Sequence, residues 1–232
     1  MSVINTNNAA LKSNLASKIA NSSLTKSAQR LSSGRRINSS ADDAAGTAVG
    51  LKLHAQLQGQ KAAIKTASDA ISLLKLQETG TSQFVSIIER IREISVQMAS
   101  GSYSDSDRSL AQLEVDALKS QIGLVASGTM FNNKQILNAS STSNYQIQAG
   151  AGQDENFTIS VIEGATLSTN VSSDADVTTQ LNALNTMNEL LTHSQTAKKY
   201  LATIGASINR LSSTINNLST SAVNTEVAFG RV

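Results

Sequence analysis

The chain has 232 residues, a formal net charge of +2, and no cysteine, proline or tryptophan. Hydrophobic residues make up 40% and aromatics 3%, a lean apolar share for a globular domain, while roughly a third of the chain is Ser, Thr or Asn. These counts exclude a disulfide framework and thiolate chemistry, and two histidines cannot build a His-rich metal site. No apolar run reaches membrane-spanning length, and the N-terminus lacks the charged-then-apolar pattern of a secretory signal, so export would need no cleaved signal. The near-neutral charge offers no argument for nucleic acid.

The first segment, from Ser2 to about Gly34, carries Ile4, Leu11, Leu15, Ile19, Leu24 and Leu31 as a thin apolar stripe. A helix with so narrow a stripe is marginal alone in water and needs a partner. Gly34 and the Ser/Asn pairs that follow interrupt it, and Ser39, Ser40 or Asp42 can cap the next helix. From about Ala44 to Ser100 a 3-4 alternation appears at Ile64, Ala67, Ile71, Leu74, Val85 and Ile88. That is a heptad seam, and about 55 helical residues span roughly 80 Å at 1.5 Å each. Midway the same register falls on the polar Glu78 and Thr81 beside Gly80, where the pattern predicts a bend.

Gly101 to Asp107 reads as a turn, with a capping-box pattern from Ser104 to Asp107. A shorter helix to about Ala126 places Leu110, Leu113, Ala117, Ile122 and Val125 on one side, and the segment from Gly128 to Leu137 closes it. Tyr145–Ala149 and Phe157–Val161 alternate like strands around Gly150–Glu155, a predicted hairpin. Residues 162 to about 176 read as polar and low in complexity. The last helix starts near Val177 and carries a regular seam at Leu201, Ile204, Ile208, Leu211, Ile215, Leu218, Ala222, Thr225 and Phe229. Its pattern runs to the end without a stop signal, which predicts a chain cut short. The fold class is therefore mainly α: an elongated antiparallel helical rod, coiled-coil-like, with a small β-hairpin region.

Ser2-Val-Ile-Asn-Thr-Asn7, the run Leu31-Ser-Ser-Gly-Arg-Arg-Ile-Asn-Ser-Ser-Ala-Asp-Asp-Ala-Ala-Gly46 and Ile88-Glu-Arg-Ile-Arg-Glu-Ile-Ser-Val-Gln97 resemble the N-terminal half of bacterial flagellin. Phe131–Leu137 and Gln146–Gly152 resemble the region that follows, and Leu201–Leu218 is similar to the start of the family's C-terminal half. The order is the family's, over nearly the whole chain. The variable outer domains are reduced to the stretch around 162–176, and the family's terminal helix beyond the position of Val232 is missing.

The resemblance implies a structural subunit of the flagellar filament, extracellular and exported without a cleaved signal, with no enzyme activity. It implies an N-terminal assembly segment over 1–43, a rod over 44–176 that includes the hairpin 145–161, and the rod's C-terminal helix over 177–232. Ile4, Leu11, Leu15, Ile19, Leu24 and Leu31 become assembly residues, ordered on packing. Implied partners are other flagellin subunits, the export apparatus and filament cap, and the vertebrate Toll-like flagellin receptor. Receptor or subunit contact falls on Ile88, Arg90, Arg92, Glu93, Ile94, Gln97 and Glu114; Arg90, Gln97 and Glu114 match the family's receptor-contacting pattern. Ile88 and Ile94 stand where the family usually has leucine.

Other residues carry less. Gly150-Ala-Gly152 is a lone Gly-x-Gly in a hairpin, where a phosphate cradle is out of place. Asp42-Asp43 and the Asp105/Asp107 pair lack a full calcium-loop pattern and read as capping groups. His54 and His193 belong to no metal motif. Arg30, Arg35 and Arg36 have no interleaved aromatics and read as helix-turn packing. Asn138–Asn144 is a hydroxyl-rich loop, solvated or O-glycosylated as the family permits. No cofactor, metal ion, nucleic acid or inserted membrane is expected. Two alternatives to the filament subunit are a hook–filament junction protein and a soluble coiled-coil binding module that acts as a receptor ligand. The close match over Leu31–Gly46 argues against the junction protein. An enzyme would need a nucleophile–base pair or a metal constellation, and the sequence offers neither.

Overall fold

In a computed structural model the chain is described over residues 7–137, 144–150, 152, 155–159 and 164–231. Five helices and four short strands follow one another: α1 (Asn8–Ser33), α2 (Ala44–Met98), α3 (Asp105–Gly128), β1 (Met130–Phe131), β2 (Lys134–Gln135), β3 (Tyr145–Gln148), β4 (Asn156–Ile159), α4 (Gly164–Asp174) and α5 (Gln180–Arg231). The chain divides into two compact units, one of residues 1–58 with 221–232 and one of residues 59–220.

In the first unit, α1 begins at Asn7, whose side chain accepts from the Ala10 amide at 3.1 Å, and stops at Gly34 in the left-handed region (φ 64°), where glycine carries no Cβ penalty. The cap of α2 is Asp43, not Ser39, Ser40 or Asp42. Its carboxylate accepts from the Gly46 amide at 2.9 Å, and its carbonyl oxygen accepts from the Thr47 amide at 3.0 Å. Asp42 turns the other way and accepts from the Asn38 amide and the Ser39 hydroxyl. Gly46 is held to glycine by crowding: a Cβ there would stand 2.6 Å from the Asp43 carboxylate and 2.6 Å from Ile37 Cδ1. Asp43, Gly46 and Ile37 thus form one interlocked helix start.

In the second unit the seam of α2 is sharper than its sequence suggests, and its register is corrected. Buried positions along the seam run Gln60, Ala63, Ala67, Ala70, Leu74, Gln77, Thr81, Phe84, Ile88, Ile91, Ser95 and Met98, spaced by alternating threes and fours, as a helix packed along one side requires, with Leu73 and Ile94 buried beside them. Ala67, Leu74, Thr81 and Ile88 lie in the seam as the heptad alternation predicts. The other row is Ala63, Ala70, Gln77 and Phe84, each one residue before Ile64, Ile71, Glu78 and Val85. Alanine takes the seam at 63 and 70 and the larger Gln77 and Phe84 take it further along, while Ile64, Ile71 and Val85 flank it half-buried. Each fully buried Ile, Leu or Phe contributes roughly 1.5–3 kcal/mol relative to exposure.

The bend expected at Glu78–Thr81 corresponds to no break, because α2 is helical throughout. Gly80 serves packing instead: a Cβ there would collide with Leu137 Cδ1 and reach 3.0 Å from Thr129 Oγ1. Gln77, buried in the seam, donates its amide to the Ile136 carbonyl at 3.3 Å. Thr81 returns its hydroxyl to the Gln77 carbonyl at 2.7 Å, which lets a polar residue sit in the core.

The turn from α2 to α3 is closed by a buried arginine. Arg108 donates Nε to the Met98 carbonyl (2.9 Å), Nη2 to the Ser100 carbonyl (2.8 Å) and Nη1 to Asp105 (2.9 Å). A cation placed on the last carbonyls of α2 also opposes the negative end of that helix. The capping box forms as its pattern predicts: the Ser104 hydroxyl oxygen accepts from the Asp107 amide at 3.2 Å and the Ser104 amide donates to the Asp107 carboxylate at 3.0 Å.

With Arg108 anchored inward, the buried face of α3 is Arg108, Val115, Ile122, Val125 and Ala126. Ile122 and Val125 face in as expected. Leu110 and Leu113 do not: they are 65% and 67% exposed, and Ala117 is exposed with them.

Beyond α3, β1 and β2 pair antiparallel through Asn132 and Asn133, both at positive φ (47° and 62°), the two-residue turn that such asparagines favour. The expected hairpin is β3 against β4, with Tyr145 opposite Ile159 and Gln148 opposite Asn156; its outer part at 160–161 and half of the turn 150–155 lie outside the described residues. The stretch read as low in complexity holds a helix, α4, which buries Gly164, Leu167 and Val171. Gly164 admits the Leu137 backbone and Phe84 at distances a Cβ would occupy. The last helix starts at Gln180 rather than Val177. Thr179 caps it by accepting from the Asn182 amide at 3.2 Å, while Val177 is fully buried ahead of it. Along α5, Ile204 and Leu211 are buried, and Ile208 and Ile215 pack half-buried against the same core.

Candidate functional site

Arg90 projects from α2 as a fork between two carboxylates. Its Nε and Nη2 donate to Glu114 Oε1 on α3 at 3.0 and 2.8 Å, and its Nη1 donates to Glu93 Oε2 at 2.6 Å. The Glu114 bond first, and the Glu93 bond next, raise the pKa of the guanidinium above its ordinary value. All three side chains are about half exposed, where ion pairs add little stability. The cluster orders a charged surface more than it holds the fold.

Gln97 is exposed on the same helix and Arg92 is half-buried. Ile88 and Ile94 are 0% and 3% exposed. Their expected role in contact is corrected on that ground: they pack the core beneath the cluster and offer no surface to a partner.

Beside the cluster, part of the apolar row predicted for the buried side of α3 faces outward. At 100° per residue, Leu110, Leu113, Ala117 and Leu124 fall opposite Val115 and Ile122. Leu124 is 64% exposed, like the two leucines before it. So α3 is apolar on two faces, one in the core and one in water, with Glu114 bordering the outer one. The available signal was a surplus of apolar residues, too many for one stripe.

Along α1 no residue is buried. Leu11, Leu15, Ile19, Leu24 and Leu31 are 58% to 88% exposed, and Ile4 lies outside the described residues. Arg35 and Arg36 line a cavity of about 840 Å³ together with Gly46, His54, Phe229 and Arg231. His54 meets the Phe229 ring at 5.7 Å between centroids.

The residues weighed for chemistry serve structure. His193 Nε2 lies 2.7 Å from Asp174 Oδ2 and joins the end of α4 to α5. Asp43 and Asp107 cap helices. Glu155 accepts from the Gly152 amide at 3.0 Å inside the hairpin turn. Among the described residues no three His, Asp or Glu side chains converge as a metal site, and no described helix is long and apolar enough to cross a membrane. Residues 138–143 of the hydroxyl-rich loop lie outside the described residues.

A mainly α chain of long seams with a small β annex, carrying ordered charge and apolar rows on its outer helix faces, defines a structural, contact-making class of protein. Its residues 4–142 match the family described as the bacterial flagellin N-terminal helical region, and the chain belongs to that family. It is 30% identical to the flagellin of Listeria monocytogenes over 99% of this chain and 85% of that one. It is 31% identical to the flagellar filament 31.3 kDa core protein of Treponema maltophilum over 97% and 84%. With polar flagellin F of Vibrio parahaemolyticus the identity is 38% over 65% of this chain, which spans only 40% of that protein. The crystal structure of Bacillus cereus flagellin superposes with a TM-score of 0.62 at 24% identity, over 71% of this chain and 94% of that one. A putative flagellar hook-associated protein from Vibrio parahaemolyticus gives 0.69 at 14% identity, over 84% and 100%. At those identities the two structures show the fold alone.

Proposed function

We infer that this chain is a structural subunit of the bacterial flagellar filament. The observation that carries this reading is apolar surface that one copy leaves in water: the outer row Leu110, Leu113 and Leu124 on α3, joined by the unburied row of α1. Contacts that repeat head to tail without closing build an open filament. On this reading residues 1–43 are the assembly segment, and 44–176 with 177–232 form the rod. The protein is exported without a cleaved signal, past the export apparatus and under the filament cap, to the cell exterior. Membership of a structural family argues against catalysis.

Seeded growth tests it. Purified chain is added to preformed filament seeds, and growth is followed by sedimentation and negative-stain microscopy. The expected result is addition to seeds that Leu110→Ser with Leu113→Ser abolishes. A monomer that never adds yet binds a receptor would favour the soluble-module reading. The junction-protein reading has only a shared fold behind it.

The Arg90–Glu93–Glu114 cluster, with Gln97, is our candidate contact for the vertebrate Toll-like flagellin receptor, and Arg92 borders it. An arginine with three donors already aligned is a favourable anchor at an interface. Arg90→Ala is expected to weaken signalling in receptor-expressing reporter cells by about tenfold or more. An unchanged response from folded protein removes the assignment.

A further inference from the structure

We propose that Asn38 and Asp42 are positioning residues for assembly: together they clip the joint between α1 and α2, so that α1 leaves it in one direction. The proposal rests on the filament-subunit reading above. In a single copy α1 buries no residue, so no core fixes its direction from α2. The joint is the ten residues 34–43, and it opens on Gly34, the residue type with the widest backbone freedom. A joint of that kind, left unclipped, lets α1 swing. Its row of side chains would then be set for a neighbouring copy in only a fraction of the molecules.

Ties cross the joint from one helix to the other. On the α1 side the Asn38 side-chain amide donates to the Gln29 carbonyl at 3.1 Å, nine residues back. In the middle the Asn38 backbone amide donates to Asp42 Oδ2 at 3.4 Å, and the Ser39 hydroxyl donates to the same oxygen at 3.3 Å. The Asp42 amide in turn donates to the Ser39 carbonyl at 3.0 Å. On the α2 side Ile37 Cδ1 stands where a Cβ on Gly46 would come within 2.6 Å of it. Asn38 is the member these ties share, with its side chain on α1 and its backbone on Asp42.

The Asn38 amide first, with the Ser39 hydroxyl and the charge of Arg30 behind it, holds the Asp42 carboxyl below its ordinary value. Asp42 therefore stays an ionised acceptor at neutral pH. Neither helix end depends on this clip, because Gly34 closes α1 and Asp43 opens α2. The bonds of Asn38 and Asp42 are left over to hold the angle between the helices.

The chain has no cysteine, so two introduced ones take labels without competition. Ser22→Cys on α1 and Ala55→Cys on α2, both at exposed positions, carry spin labels in the full chain, and pulsed dipolar spectroscopy reads the spread of distances between them. One narrow distribution is expected. Asn38→Ala with Asp42→Ala should broaden it and slow addition to preformed filament seeds about fivefold or more, as the correctly directed fraction falls. Asp42→Asn alone keeps an acceptor oxygen for Asn38 and Ser39, and should keep both readings near native. Denaturant unfolding of the second unit should be unchanged in every variant.

A distribution already broad in the native chain, or equally narrow in the double alanine variant, overturns the clip. Broadening without slower growth overturns its role in assembly. A native chain that adds to no seed overturns the filament reading and the assembly role with it. That failure is told apart from failure of the clip by the native distances, which then remain narrow.

Discussion

Helices α1 and α3 are of similar length, 26 and 24 residues, and both carry leucines at helical spacing, yet they stand in opposite tertiary circumstances. Not one residue of α1 is buried, while α3 buries five, including an arginine. The difference teaches that apolar spacing creates a face without assigning it a partner. In α3 one face is claimed by the core and a second is left in water. In α1 every face is left. The helix of α1 rests on its own propensity and on its caps at Asn7 and Gly34, which is marginal support for an isolated helix.

That contrast is broken most severely by truncating matched side chains on the two sides of it. Ile91→Ala, at a fully buried position of the α2 seam, should lower the stability of the second unit by about 2–5 kcal/mol in denaturant unfolding. Leu15→Ala, at a position 60% exposed, should change stability by no more than about 0.5 kcal/mol. Equal effects would mean that α1 is packed in solution and that the comparison fails.

Next in size is the anchor that decides which face of α3 turns inward. Arg108→Met keeps the stem and removes three donors from Met98, Ser100 and Asp105. The two carbonyls then lose their partners at about 1–3 kcal/mol in total. Faster amide exchange confined to the end of α2 and the first turn of α3 is the expected signature.

The smallest effect sharpens the comparison at a single cap. Ser104→Ala removes the capping-box hydroxyl at about 1 kcal/mol. The same cap carries a pH dependence. The Ser104 hydroxyl, followed by its amide, holds the Asp107 carboxyl below its ordinary value. Its contribution is therefore complete above the unfolded carboxyl value of about 3.9 and is lost as pH falls through the lower folded value. Protection of the amides of residues 105–108, taken relative to their intrinsic exchange rates, should fall as the solution is acidified below about pH 4. Ser104→Ala should flatten that dependence, whereas α1, with no acidic residue, should show no matching carboxylate titration at its own N-terminus.

The chain's own order of residues determined a good deal. Gly34 stops α1 because only a residue without a Cβ enters the left-handed region freely. Ser104 and Asp107 mark a helix start because their side chains reach each other's amides locally. The heptad alternation declared long helices, and the alternating runs at Tyr145 and Phe157 declared a hairpin. The motif at Leu31–Gly46 marks the family, and the residue types and spacing at Arg90, Glu93 and Glu114 mark a charged surface.

Tertiary structure alone decided the rest. Whether Ala70 or Ile71, and Phe84 or Val85, lies in the seam depends on how near the opposing surface comes at that level, which the spacing within α2 does not encode. Leu110 and Leu113 point outward because Arg108 must reach the carbonyls of Met98 and Ser100, a constraint that no periodicity within α3 encodes. The helix α4 is not legible because its burial rests on a few residues, Gly164, Leu167 and Val171, and the neighbours that Gly164 meets, Phe84 and Leu137, come from elsewhere in the chain. Local chemistry is legible where a residue's partners are its neighbours along the chain. Where the partners arrive from elsewhere, the faces are written in the sequence but their occupants are chosen by the fold.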